Sequence, residues 1–259
     1  MRRPASGLSD VVSGRYMNAP QRHQVILGVP VSLRTATLLS QLRCRSPLPI
    51  QFCAIPLGQP AYAQHSDEKT VIFICPQLEL QQFDRTLRHE LYHVEVRLDG
   101  FPLGAAPSPG RPLPISDWMV MVGSSVCDAV LHAEIEKRMR GDGDDGSAVQ
   151  LRILNTTQQI SASGALGSAK RWMAPWVIIL LGQVEYAFWW RPDLYAQLCR
   201  ITASIDPLLV TTAMTLIEKV KRYDLHSPNG ALQAMILLRD CLRLQRTLSI
   251  VDVRTGRQY

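Results

Sequence analysis

The stretch that decides the fold runs from Leu80 to Leu98, LQQFDRTLRHELYHVEVRL. Leu80, Phe83, Leu87, Leu91, Val94 and Leu98 recur at three- and four-residue steps, so a 3.6-residue period gathers them on one helical face, with Asp99-Gly100 as the stop. The opposite face carries His89 and His93. Side chains at i and i+4 project one turn apart, the separation at which two imidazoles can hold one Zn²⁺, and Glu90 lies beside them. With 6 histidines in the chain, a His-Glu-x-x-His match arises by accident in roughly 0.7% of such sequences, which favours a metal site over two solvent-facing histidines.

Working outward, Ser32 to Arg43 has helical spacing, Pro49 to Ile55 and Pro60 to Gln64 are short strand candidates, and Thr70 to Cys75 (TVIFIC) is a strand rich in β-branched residues. The motif helix thus follows an edge-strand candidate, the arrangement a peptidase would use to hold an extended substrate. Gly100 to Ser116 is a Pro/Gly loop, and Gly141 to Ser147 (GDGDDGS) reads as a flexible acidic joint without the ligand pattern of a calcium loop. From Trp118 onward the pattern is helical, over roughly 118–140, 150–162, 173–190, 193–203, 206–223 and 229–247. The expectation is an α+β chain: an arm at 1–30, a core at 31–145 built of a helix, a small mixed sheet and the motif helix, and an all-helical region at 146–259.

With 259 residues and 46% hydrophobic content, the chain can bury a core and is not disordered. Its six cysteines show no metal-knuckle spacing and are expected to be reduced, mostly buried thiols. The net charge of +6 is scattered, so nucleic-acid binding is disfavoured. No signal-peptide pattern follows Met1, and the longest apolar run, Met173 to Trp190, contains Gln183 and Glu185. A cytoplasmic protein that engages no membrane is expected.

His89-Glu90-x-x-His93, preceded by Pro60-Ala61-Tyr62-Ala63 and the Thr70–Cys75 strand, resembles the zincin superfamily of zinc metallopeptidases, in which the HExxH helix lies beneath an antiparallel edge strand. The resemblance covers about residues 31–140, with HExxH its one specific signature. It implies that His89 and His93 bind zinc and that Glu90 activates the metal-bound water as general base. The longer metzincin pattern is absent: Val96 stands where its glycine is expected and Asp99 where its third histidine is, so Asp99 is a minor ligand candidate and more naturally caps the helix.

A catalytic zinc needs a third protein ligand and an open position. Ser125, Asp128, His132 and Glu136 step along one polar stripe of the following helix, while Glu134 points away and suits an i,i+4 pair with Arg138. This pattern resembles a gluzincin, whose third ligand is a glutamate on a later helix, and the His-x-x-Ile-Glu-x-Arg run resembles that of uncharacterised bacterial zincin-like chains; both point to His132 and Glu136. Glu136 is the expected ligand, with His132 as oxyanion donor and Asp128 orienting an imidazole; a small helix rotation would instead bring His132 or Asp128 to the metal. Tyr92, the Trp172, Trp176, Trp189 and Trp190 group, and Glu185 read as packing or satisfied buried groups, with Glu185 alternatively reaching the cleft; His226 reads as a loop residue. The expected activity is hydrolysis of a peptide or protein substrate, and the alternative is a zincin-like scaffold without catalysis that binds or regulates a partner.

Overall fold

The computed structural model describes residues 24–59, 61–105, 117–144, 146–162, 174–188 and 191–259. It is mixed α+β. Strands β1 (Val25–Ile26) and β2 (Val29–Pro30) form a hairpin turned by Leu27 and Gly28, whose φ angles of 50° and 83° are the positive pair of a two-residue turn. These residues belong to the stretch expected as an arm, whereas 1–23 lie outside the described residues. Helix α1 (Leu33–Arg45) starts at Ser32, whose hydroxyl accepts from the Thr35 amide and whose own amide donates to Asp84, pinning the start of α1 to the motif helix.

Strands β3 (Ile50–Ala54), β4 (Tyr62–His65) and β5 (Thr70–Ile74) form a sheet of order β3-β5-β4, with β3 parallel and β4 antiparallel to the centre. Along β5, Thr70, Ile72 and Ile74 are buried while Val71 and Phe73 face the other side, the alternation of a sheet covered on one face. Pro60, part of the expected β4, lies outside the described residues. Helix α2 (Leu80–Leu98) packs against β5 and β4 and buries Phe83, Leu87, Leu91 and Val94 of the stripe that its spacing predicts, while Leu80 at its start is exposed and Leu98 at its end half-buried.

Helix α3 (Asp117–Gly141) crosses α2 and packs along α5 (Ala174–Ala187) and α8 (Pro228–Cys241); α4 (Ser147–Ala162) lies on α6 (Pro192–Ile205), and α7 (Pro207–Val220) lies between α5 and α8. One continuous cluster of buried side chains runs from Ile26 through Leu91, Val130 and Leu181 to Ile250. Among the described residues, no helix is long and apolar enough to cross a membrane. The cysteines are free, but Cys44 and Cys53 are exposed rather than buried.

Two expectations are corrected. The region 146–259 is not all helical: α8 ends at Cys241, Arg243 turns the chain with a φ of 57°, and β7 (Ser249–Asp252) and β8 (Arg257–Gln258) follow. The alternating Ile250 and Asp252 side chains are buried while Val251 is half-buried, so this β-branched run suits a pleated surface better than the helix read through to 247. It joins β6 (Leu103–Ala105), inside the expected Pro/Gly loop, in an antiparallel sheet of order β6-β7-β8; residues 106–116 lie outside the described ones. The acidic joint is also not loose. Arg85 Nε donates to Asp144 at 2.6 Å, Tyr92 donates to Asp142 at 2.7 Å, and Arg88 lies within 3.8 Å of both aspartates, so the turn after α3 is tied to α2.

Strand β6 approaches α3 closely at Gly104, where a Cβ would fall 2.6 Å from Cys127 Sγ and 3.2 Å from Leu248 Cδ1. Gly104→Ala is expected to cost about 1–3 kcal/mol by overpacking. The loss should show as a lower urea midpoint that Cys127→Ala partly restores; an unchanged midpoint would mean the contact relaxes freely.

Candidate metal centre

The apolar stripe of α2 fixes that helix on the sheet and turns His89 and His93 toward α3. On α3, Val126, Val130 and Ala133 are buried on the packing side, which sets the rotation that brings His132 across from them. His89, His93 and His132 each offer a ligand atom, and these atoms lie within 4.8 Å of one another. Their rings form a near-regular triangle with centroids 5.0, 5.0 and 5.2 Å apart. The Nε2 atoms of His93 and His132 are 3.2 Å apart. Two nitrogens on one tetrahedral Zn²⁺ stand about 3.3 Å apart, as follows from Zn–N bonds of about 2.0–2.1 Å. The residues therefore fit a divalent ion.

Carboxylates surround this triangle. Glu185 on α5 places Oε1 2.6 Å from His132 Nδ1, and Asp128 Oδ1, more exposed, lies 3.7 Å from Nε2 of the same ring. Glu136, expected as the ligand, stands 3.5 Å from His89 Nδ1, and both its oxygens are buried without a hydrogen-bond partner among the described residues. A buried carboxylate left in that state is costly. An imidazole that uses its far nitrogen for a metal and turns Nδ1–H toward Glu136 would satisfy it.

Protonation follows from these neighbours. Burial holds His93 well below the ordinary imidazole value, with the charges of His89 and His132 acting in the same direction, so His93 is neutral. Burial also opposes charge on His132, but Glu185, Asp128 and Glu136 outweigh it and push its pKa up to about 10. Burial raises the pKa of Glu136 despite the opposing charges of His132 and Arg85.

The other expected residues fall as follows. Glu90, next to His89 in the sequence, is buried on α2. Glu134 accepts from Arg138 at 2.8 Å, the i,i+4 pair expected, and lies 2.8 Å from His226 Nδ1, which docks the loop before α8. Asp99 caps α2 and pairs with Arg45 and Arg138, the latter at 2.7 Å. Arg138 also reaches Glu95 at 2.7 Å, so this cluster joins α1, α2 and α3 apart from the histidines. Trp176 is buried and donates to Asp206, while Trp172, Trp189 and Trp190 lie outside the described residues.

The contact of Glu185 with the centre was the feature hardest to see in sequence. Its signal was a carboxylate inside an otherwise apolar helix, a placement that demands a partner. No protein-family description, curated protein or solved structure matches the chain.

Proposed function

We propose that the chain is a zinc-dependent metallopeptidase or amide hydrolase in which His89, His93 and His132 hold the ion and Glu90 is the general base. The observation that carries this reading is the convergence of three imidazoles from two helices, one of which bears His-Glu-x-x-His. Among the described residues three ligands converge, the number that catalytic zinc sites use, whereas structural sites are closed by four. Imidazole donors suit zinc among several transition metals, and zinc is the ion of the zincin-type peptidases that the motif resembles.

In this reading the zinc supplies Lewis acidity toward water and the scissile carbonyl. Glu90 takes the proton from the attacking water and returns it to the leaving amine. His132 acts as a ligand, and Glu136 lies behind His89. The antiparallel strand β4, packed against α2, is an edge strand of its sheet among the described residues, and an extended peptide can lie along such an edge.

Metal analysis of the purified protein, paired with cleavage of an unfolded protein substrate, tests the proposal. About one zinc per chain with turnover is expected. Zinc without turnover would leave a metal-binding scaffold, and no bound metal with no uptake of added zinc would remove the reading.

A further inference from the structure

Between Trp176 and Ala187, α5 is apolar except for Gln183 and Glu185. Gln183 is accounted for locally, since its side-chain amide donates to the Thr202 hydroxyl and lies 3.4 Å from the Leu198 carbonyl oxygen. Glu185 instead reaches out of its own helix pair to α3. Its Oε1 stands 2.6 Å from His132 Nδ1, a contact buried between the two helices.

We propose that Glu185 is the positioning residue of the metal centre: by accepting the Nδ1–H of His132 it fixes the tautomer of that ring and presents Nε2 to the ion. The inference rests on the reading of the three histidines as metal ligands. An imidazole can ligate through either nitrogen, and the one it uses is set by the hydrogen bond made at the other. Here Nδ1 is held by Glu185, and Nε2 is the atom 3.2 Å from His93 Nε2. Asp128 cannot set this choice, because it faces Nε2, at 3.7 Å. The carboxylate also offsets positive charge accumulating at the centre and strengthens the imidazole as a donor. It gives α5 a role in metal binding, although α5 lies outside the span of the zincin resemblance.

The test is competition for zinc with a chromophoric chelator, together with ¹H–¹⁵N spectra of the histidine rings. In wild type the zinc-loaded protein should show His132 protonated at Nδ1, and His132→Gln should lose the zinc. Glu185→Leu is expected to weaken zinc binding by about 10- to 100-fold, with Glu185→Gln, which keeps an acceptor oxygen and loses the charge, in between. If the Leu variant fails to fold, the Gln variant and the wild-type spectrum decide. Wild type that takes up no zinc, or His132→Gln that binds it as tightly, would overturn the ligand reading and this inference with it. His132→Gln losing zinc while both Glu185 variants keep wild-type affinity, or a His132 proton found on Nε2, would overturn the role of Glu185 alone.

Discussion

Glu90→Gln is expected to lower the rate of peptide hydrolysis by about 10²- to 10⁴-fold, the range that a positioned proton acceptor contributes. The amide keeps the size of the carboxylate but is neutral and cannot accept the proton. Glu90 is buried, so a shape-conserving change is the appropriate one, because it spares the packing of α2. Zinc content and thermal midpoint should match wild type, and the loss should fall on kcat. Undiminished cleavage would show that another group removes the proton. Loss of zinc together with activity would mean that Glu90 holds the centre together instead of doing chemistry.

His132→Ala should cost more zinc affinity than any change behind the ligands, beyond the roughly 100-fold that bounds outer residues. Glu136→Gln should stay within that bound. The pair separates the two candidates for third donor: His132, whose Nε2 is 3.2 Å from His93 Nε2, and Glu136, 3.5 Å from His89 Nδ1. Alanine also strands buried Glu185 without its partner, so His132→Gln, whose amide can still donate to Glu185, is the companion that keeps stability and affinity apart. Retention of zinc by both His132 variants, with its loss in Glu136→Gln, would reverse the assignment.

The motif helix was legible because everything that defines it is local. The Leu80-to-Leu98 stripe sets its face, Asp99-Gly100 ends it, and the i,i+4 spacing puts His89 beside His93 wherever the helix goes. The third donor was legible only as a stripe. Residues 128, 132 and 136 differ by about 40° in heading, and which of them meets α2 depends on how Val126, Val130 and Ala133 seat α3. Glu185 lay further out of reach, since its contact joins residues from separate helices that only tertiary packing brings together. The acidic run after α3 hides its role for the same reason: Asp142 and Asp144 have the composition of a linker, and the partners that tie them down, Arg85, Arg88 and Tyr92, lie fifty or more residues away on α2. The strand at Ser249–Asp252 did carry a local signal in its β-branched pair, masked by the helical pattern running into it.

The β6-β7 ladder imposes an order of events on the newly made chain. Leu103 pairs with Val251, so the strand beside α3 has no partner until every helix from α3 to α8 has been synthesised. Closing so long a loop adds little to the equilibrium cost, because that cost grows only logarithmically with length, but pairings this distant slow the approach to the native state. Helix α2 can therefore form early, with His89 and His93 already on it, while β6, which packs on the helix that carries His132, pairs with a strand from the far end of the sequence. On the proposed reading of the three histidines, a nascent chain that displays only His89 and His93 offers two of the three ligands and is an incomplete binder.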